Sequence, residues 1–523
     1  MSVAEPSPAM TEHALLVPFG RFAHQIGLID ALDRVPVKMK TLAHSPGDKL
    51  AELLVHILAG GMHVKELETS PHPLIRDEAV ARAWGQEAFA SASGVSALLG
   101  AVSAESVAAL KEEVHQVLAP YRRRLLRDLL PSFLVVDGDL TGLVVSDQAE
   151  TYEGADYGYM GEAGGVAKGY QFARVQVQTG RGPLVLGGFL HPGHTVPVHC
   201  LRELVGQVEA ALGRPRRRVH LVEQRLSQVE RQLAAVEQAL ARGATSRREE
   251  RLQQRRERLR AEIADLRQRR ETMEAENASN PQPRRIILRL DGGFGDAPQL
   301  AWLVEQGHPQ AGTRFVVRAH NHHVARRCKG EEGLRWEKVS KNGFIAPSGQ
   351  TTLTSYPYPV RIFACRQWWG DTRPERWSSL LVNQELEERE WPTRRVGTFY
   401  NGRQIAEAGI KEGKGIFASR HLPTRHEAGI ALYQELVLAA QNLLRWFQWQ
   451  VLRRSALAAT GVKDLVRRAA NSRALVHVRG RALVLHFAAD SSWPGHTLIL
   501  PTDLSYQLCL PLLDLGPPGA PAP

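Results

Sequence analysis

The sequence predicts an α/β protein in which strands and helices alternate after a helical amino-terminal region. Three observations predict this class. Apolar residues at helical spacing dominate residues 1–128, short apolar runs that end in acidic residues begin near residue 132, and a long heptad pattern begins near residue 219. Helical and strand periodicities of this kind are the main sequence signal of secondary structure.

Bulk composition is typical of a globular protein long enough for two to four domains. The 523 residues include 66 Lys and Arg against 55 Asp and Glu, for a net charge of +11. This excess favours a polyanionic partner. No apolar run approaches the roughly 20 residues of a membrane span, and the first residues lack the pattern of a secretion signal. The four cysteines are far apart, which favours neither a zinc site nor a disulfide framework and is typical of a reducing compartment.

Two helices stand out in the amino-terminal region. One covers residues 50–58, and a longer one covers residues 107–117, with Ser103 as its N-cap and Pro120 beyond its end. A short helical run at residues 96–99 precedes the longer helix, an arrangement that suits a helix-turn-helix DNA reader. A plain helical bundle explains the same pattern equally well.

Two of the predicted strands run directly into acidic residues. Residues 133–136 lead into Asp137 and Asp139, and residues 286–290 lead into Asp291. Acids at the ends of neighbouring strands, with a third on a later helix, can hold two divalent metal ions for phosphoryl transfer. Further strand-like runs lie at residues 170–178, 183–189 and 315–318.

A heptad seam predicts a helical hairpin between these strands. Apolar residues alternate in steps of three and four over residues 219–240, Gly243 interrupts them, and a second seam covers residues 252–273. Ser246 and Glu249 form a predicted capping box at the start of the second helix. We favour pairing of the two helices with each other; the alternative is a seam shared by two chains. The arginines of the second helix either contact DNA or form a solvated face.

The third acid lies in a helical pattern near the carboxyl end. Tyr400, Arg403, Glu407 and Lys414 are separated by three, four and seven residues, so all four can share one face of one helix. Such a face presents a metal-binding carboxylate between two cations able to grip phosphates. The alternative is an amphipathic helix with an Arg–Glu pair on its surface.

These residues resemble the bacterial insertion-sequence DDE transposases that carry a Tyr-Arg-Glu-Lys signature. The four residues of the helix match every spacing of that signature. Asp139 followed by Thr141 is similar to the family's first acid, and Asp291 in an Asp-Gly-Gly-Phe turn is similar to its second. The resemblance covers roughly residues 130–455.

The resemblance implies an RNase H-like mixed-sheet core with Asp139, Asp291 and Glu407 as the catalytic triad and as ligands of two Mg²⁺ ions, with Mn²⁺ able to substitute. It implies DNA cleavage at the element ends and transfer of the freed 3′-hydroxyl into target DNA. Asp137 stays open as the first metal ligand, because it points to the same side of the strand as Asp139. The alternatives are a domesticated DNA-binding protein and a nuclease without strand transfer.

The expected partners are double-stranded DNA, as terminal inverted repeats and as target, and a second copy of the chain in a synaptic homodimer. The resemblance implies a bacterial cytoplasmic protein that acts at the nucleoid and contacts no membrane. Tyr400, Arg403 and Lys414 are the expected DNA-binding residues. Trp368 and Trp369 stand among basic residues, which suits stacking on a base pushed out of the duplex; the alternative is that the tryptophans of this region pack a small β-domain.

Seven regions follow from this interpretation. They are a helical region that binds DNA ends (1–128), the first part of the core (129–213), the coiled-coil hairpin (214–282), the second part of the core (283–319), a β-rich insertion (320–394), the third part of the core with the Glu407 helix (395–455), and a carboxyl-terminal region with a disordered Pro-rich tail (456–523).

Overall fold

The fold is mixed α/β, with one large sheet, one small sheet and a helical arm. The Pro-rich tail predicted at the carboxyl end lies outside the described residues. The computed structural model describes residues 8–40, 43–129, 132–146, 152–161, 165–243, 245–307, 312–320, 322–349, 352–353, 356–370 and 373–502.

Helices fill the amino-terminal region, as predicted, after one short strand. Ser103 caps the longest of them, as expected, but the helix continues through Pro120 to Leu126. Pro120 is exposed, so water can satisfy the carbonyl group that lacks its amide donor. The elements are β1 Ala9–Thr11, α1 Leu16–Gln25, α2 Leu28–Asp33, α3 Pro46–Leu58, α4 Glu66–Thr69, α5 Glu78–Ala83, α6 Ala92–Ala101 and α7 Ala104–Leu126.

The middle of the chain builds the first part of the large sheet and the arm. The strand with the first two acids does not end at them: it continues to Val144, because β4 pairs with it that far, whereas β6 pairs with it only as far as Asp137. The elements are β2 Leu134–Val144, β3 Asp156–Tyr159, β4 Val166–Thr179, β5 Gly182–Pro192, α8 Pro197–Leu212, α9 Val219–Ala241, α10 Ser246–Ala278, β6 Ile286–Leu290, α11 Ala297–Glu305 and β7 Thr313–Arg318.

The remaining elements complete both sheets. They are α12 His322–Lys329, β8 Glu337–Lys338, β9 Gly343–Pro347, β10 Val360–Gln367, β11 Arg376–Asn383, α13 Thr393–Asn401, α14 Gln404–Gly415, α15 Glu427–Gln450, α16 Val462–Asp464, β12 Ala474–Arg479, β13 Ala482–Phe487 and β14 Thr497–Pro501.

The large sheet has ten strands in the order β3-β4-β2-β6-β7-β11-β10-β9-β8, with β5 also paired to β4. Strands β2, β6 and β7 are parallel to one another, and the remaining pairs are antiparallel. The strands of the region predicted as a β-rich insertion are therefore joined to the same sheet through the β7–β11 pair. A separate small β-domain, which was the alternative for this region, is not observed among the described residues.

Helix α15 forms the centre of the core. Of its 24 residues, 17 are buried, and it packs against α7 and β5. The side-chain amide of Asn442 exchanges two hydrogen bonds with the backbone of Val185 in β5, at 2.9 and 2.8 Å. This apolar helix therefore packs against both the amino-terminal helices and the large sheet. A second sheet, β1-β12-β13-β14, joins the first described strand to the last three.

Helices α6 and α7 meet at 105°, an angle that suits a helix-turn-helix. However, α7 buries Leu110 and Val117, and its exposed face includes Glu105 and Glu112. The last turn of the same helix carries the exposed Arg123, so both the helix-turn-helix and the plain helical bundle stay open for this region. Within the described residues, no single helix is both long and apolar enough to cross a membrane, although the bent pair α6 and α7 meets the criterion jointly.

Helices α9 and α10 pack against each other within the chain. Their seam is an apolar cluster of its own, formed by Val222, Leu226, Val229, Val236, Leu259, Ile263, Leu266 and Met273. The predicted capping box is wrong: α10 begins at Ser246 itself, and its N-cap, Thr245, makes no side-chain hydrogen bond to the helix.

Candidate active site

The first acid of the site lies in the middle of β2. In the parallel pairing of β2 with β6, Asp137 is opposite Arg289. Continuing this register by two residues brings Asp139 beside Asp291, which directly follows β6. Asp139 is largely buried, with 12% of its side chain exposed. Strand pairing alone therefore brings the first two acids together.

Asp291 caps the turn that follows β6. Its Oδ1 accepts a hydrogen bond from the amide of Gly293 at 2.9 Å, and Phe294 is fully buried beneath the turn. A Cβ atom on Gly293 would lie 2.4 Å from Pro197, so this position has no room for a side chain. The Asp-Gly-Gly-Phe motif thus folds the backbone tightly and leaves the Asp291 side chain 37% exposed.

The third acid, Glu407, lies in the first turns of α14, which packs over β2. Its side chain is 49% exposed. Arg403, which precedes the helix as its N-cap residue, is 11% exposed and points toward the acids.

The guanidinium of Arg403 contacts all three carboxylates. Its Nη2 lies 2.9 Å from Oδ1 of Asp139 and 3.8 Å from Oδ2 of Asp291, and its Nη1 lies 3.1 Å from Oε1 of Glu407. Residues from a central strand, a neighbouring strand end and a later helix therefore converge at one point. These are the three acids that the sequence predicted as a triad.

Burial and mutual repulsion perturb the charges of this cluster. Burial raises the pKa of Asp139 to about 6; Arg403 opposes the increase, and Asp291 adds to it. Burial also disfavours the charged form of Arg403, but Asp139 and Asp291 outweigh this effect and raise the pKa of the guanidinium. A carboxyl group whose pKa is raised by burial beside other acids is a frequent mark of a functional site.

Asp137 has different partners. Arg289 donates to both of its carboxylate oxygens, at 2.6 and 2.8 Å, and Gln178 donates to Oδ2 at 2.5 Å. The side chain of Asp137 is fully buried. The remaining Nη1 of Arg289 donates to the carbonyl of Phe399 at 2.7 Å. Asp137 thus anchors the end of α13 through Arg289, and its oxygens are engaged within the protein.

The four signature residues do not share one helix. Tyr400 lies near the end of α13, and Glu407 and Lys414 lie in α14, so the predicted single helix is interrupted near Gly402. A Cβ atom on Gly402 would lie 2.4 Å from Nη1 of Arg289. This close approach explains the glycine at the break.

Two of the expected DNA-binding residues make contacts inside the protein. The Tyr400 hydroxyl donates to the carbonyl of Leu290 at 3.3 Å, and burial raises its pKa to about 12. The Lys414 ammonium donates to the carbonyl of Gly142 at 2.9 Å, and burial lowers its pKa. Both side chains therefore support the elements that carry the acids.

The tryptophans differ in exposure. Trp368 is 49% exposed and directly follows β10, whereas Trp369 is half-buried. Strand β10 runs in the same direction as β6, so Trp368 and Asp291 leave the sheet at the same edge. Trp336 is partly buried and packs edge-on against Trp377. Packing thus explains Trp336, and the exposed face of Trp368 is free for a ligand.

Two cations near the acids were missed by sequence reasoning. Arg318 is exposed at the end of β7, next to the Asp291 turn, with its guanidinium 5.7 Å from the centre of the Tyr400 ring. Arg174 in β4 is paired with Asp139 across the sheet, and burial lowers its pKa to about 10. The only available signal was the strand register, which a single sequence does not reveal.

Three carboxylates offer oxygen donors, which Mg²⁺ and related hard cations prefer. The donor set of Asp139, Asp291 and Glu407 therefore fits such ions chemically, and Arg403 marks the point where the three negative charges meet. Within the described residues, no three His, Cys, Asp or Glu side chains are already grouped closely enough to hold a metal ion.

No model of a known protein family matches the chain, and no curated protein is significantly similar to it.

Proposed function

We propose that this chain is a DDE-type DNA transposase, which cleaves DNA at the ends of a mobile element and joins the freed 3′-hydroxyl to target DNA. The observation that carries the proposal is the convergence of Asp139, Asp291 and Glu407 on the guanidinium of Arg403. The three acids lie 152 and 116 residues apart in sequence, so only a specific fold brings them together.

The order of the strands supports an RNase H-like core. Strands β5, β4 and β2 are antiparallel neighbours, and β6 and β7 follow on the other side of β2 and run parallel to it. Helix α8 and the arm helices α9 and α10 lie between β5 and β6, and helix α11 connects β6 to β7. An RNase H-like core has this order of three antiparallel and two parallel strands, with its acids on the first strand, at the end of the fourth and on a later helix. In this chain the three acids lie in β2, directly after β6 and in α14, which supports the correspondence.

Asp139, Asp291 and Glu407 would hold the divalent ions that the reaction requires. Bound Mg²⁺ would supply activation of the attacking oxygen and stabilisation of the leaving oxygen. The positive charge of Arg403 reduces the electrostatic repulsion among the three neighbouring carboxylates. Asp291 and Glu407 are partly exposed, so a phosphate of the substrate can approach them from solvent.

Exposed cations beside the acids can bind the DNA backbone. Arg318 lies next to the Asp291 turn, and Lys411 and Arg420 are exposed on and after α14. Trp368 extends beyond the same edge of the sheet and offers a ring for stacking on a base. We assign phosphate binding to these exposed residues and a supporting role to Tyr400 and Lys414.

The test is the substitution Glu407→Gln, which keeps the shape of the side chain and removes its charge. We expect loss of Mg²⁺-dependent cleavage with nearly unchanged DNA binding, measured on duplexes that contain the flanking DNA of the gene. Glu388→Gln, at an exposed carboxylate outside the site, is the matched control and should cleave normally. Cleavage by the Glu407 variant at the control's rate would disprove the assignment. Cleavage by the wild type without joined products would indicate a nuclease that lacks strand transfer.

A further inference from the structure

The two halves of the helical arm differ in how their arginines are paired. Toward the base, acidic residues pair with arginines across the two helices: Arg225 with Glu262 at 2.7 Å, and Arg267 with Glu230 at 2.9 Å. These ion pairs hold α9 against α10 and explain the arginines that form them.

Four arginines near the tip have no such role. Arg247, Arg251, Arg255 and Arg258 are all exposed, and none has an ion pair or hydrogen bond with another described residue. Their spacing of four, four and three residues places them along one side of α10. The glutamates of the same segment, at positions 249, 250 and 257, lie on the other side of the helix. The result is a continuous cationic row, which we name the arginine stripe (Arg247, Arg251, Arg255 and Arg258).

The dimensions of the stripe match a nucleic-acid backbone. At about 1.5 Å per helical residue, the stripe is about 16 Å long and lies between about 30 and 46 Å from the base of the arm. Along one DNA strand, consecutive phosphates are about 3.4 Å apart along the helix axis, so the stripe can face several of them. Unpaired arginines that are already exposed lose no internal ion pair when they bind phosphate.

The base of the arm is fixed to the core, so the stripe is held away from it. Arg217, at the foot of α9, forms two hydrogen bonds with Glu209 of α8 at 2.6 and 2.7 Å and one with Glu276 of α10 at 2.5 Å. Arg269 pairs with Glu305 of α11. An arm anchored at both helices positions its tip at a distance from the sheet without a flexible linker.

We propose that the arginine stripe is a second binding site for duplex DNA, which contacts phosphates remote from the acidic site and does not read base sequence. The inference rests on the proposed function for the identity of its partner, although binding is measured without cleavage. Charge complementarity supports duplex DNA as the ligand, because four neighbouring cations without internal acidic partners fit a regular row of phosphates.

The test compares two replacements of all four stripe residues: one variant with Arg→Gln at each position and one with Arg→Lys at each position. Both replacements favour helix about as well as arginine, and far-UV circular dichroism checks the helix content. The measured quantity is the affinity for a 40-base-pair duplex of random sequence at several salt concentrations. At about 0.9 for each neutralised phosphate, the Gln variant should flatten the slope of log affinity against log salt by up to about 3.6. The Lys variant should retain most of the slope.

A double variant, Arg225→Gln with Arg267→Gln, is the matched control. It removes the same type of charge from arginines that already have partners, so it should weaken the arm against heat and leave the salt slope unchanged. Shortening the arm by replacing residues 232–263 with a Gly-Ser linker should reproduce the effect of the Gln variant.

A Gln variant with the wild-type slope, or a loss confined to single-stranded oligonucleotides, would overturn the inference. Failure of the proposed function is a separate outcome: it would appear as absent cleavage by the wild type, with the salt slopes still dependent on the stripe.

Discussion

Replacing Asp139 with Asn should stabilise the protein at neutral pH, even though the substitution removes an acid of the proposed active site. The carboxyl group is buried, next to Asp291 and Glu407, and its pKa is raised from 3.8 to about 6. The native state therefore holds the Asp139 proton more tightly than the unfolded state does. It follows that the contribution of Asp139 to stability is largest below pH 4 and is lost as the pH rises through 6.

The size of the effect follows from the two pKa values. A tenfold change in the acid dissociation constant corresponds to about 1.4 kcal/mol. The stability that the protein loses over the whole titration of Asp139 is therefore about 3 kcal/mol. Of this, about 2 kcal/mol develops between pH 4.5 and pH 7.5. Asn resembles the protonated, neutral form of Asp139, so the Asp139→Asn variant should lose this part of the pH dependence.

Unfolding by urea in the presence of a metal chelator measures the difference. The free energy of unfolding of the wild type and of the variant is compared at pH 4.5 and at pH 7.5, so that other titrating groups cancel. We expect the variant to gain about 2 kcal/mol relative to the wild type at the higher pH. If the free energies of unfolding of the two proteins changed equally with pH, the inference that burial and neighbouring acids raise the pKa of Asp139 would be refuted.

Three further substitutions test the surroundings of the site. Asp137→Asn leaves Arg289 buried without its full counter-charge, so urea unfolding should show a loss of about 3 kcal/mol or more; a loss below about 1 kcal/mol would contradict the pairing. Lys414→Ala removes an ammonium group that binds a backbone carbonyl, so the salt dependence of DNA binding should not change; a flattened slope would show that Lys414 contacts phosphate. Trp336→Ala should lower the melting temperature, whereas Trp368→Ala should weaken DNA binding and keep the melting temperature; equal thermal effects would contradict their different packing.

The acidic cluster was predictable because local patterns carry its parts. Apolar runs in the sequence that lead into Asp139 and Asp291 predict that the two acids lie on strands, and the spacing of Arg403 and Glu407 predicts their contact on one helical turn. The helical hairpin was predictable for a similar reason, since its seam repeats over many residues and depends on no distant partner.

Other features depend on contacts between distant segments. The break between α13 and α14 follows from the approach of Arg289 to Gly402, which the helical period of the signature does not reveal. Strand β2 continues past Asp139 because β4 pairs with it as far as Val144. Pairing of β11 with β7 likewise joins the β-rich region to the large sheet. A single sequence contains no record of these pairings.

The unbroken hydrogen bonding from β6 to β10 sets a fixed separation between the acids and Trp368. Three strand spacings of about 4.8 Å give a lateral distance of about 14 Å. Because β7 and β11 are bonded backbone to backbone, Trp368 cannot approach Asp291 unless sheet hydrogen bonds break. A ligand that contacts both residues at once therefore has to span about this distance across the sheet.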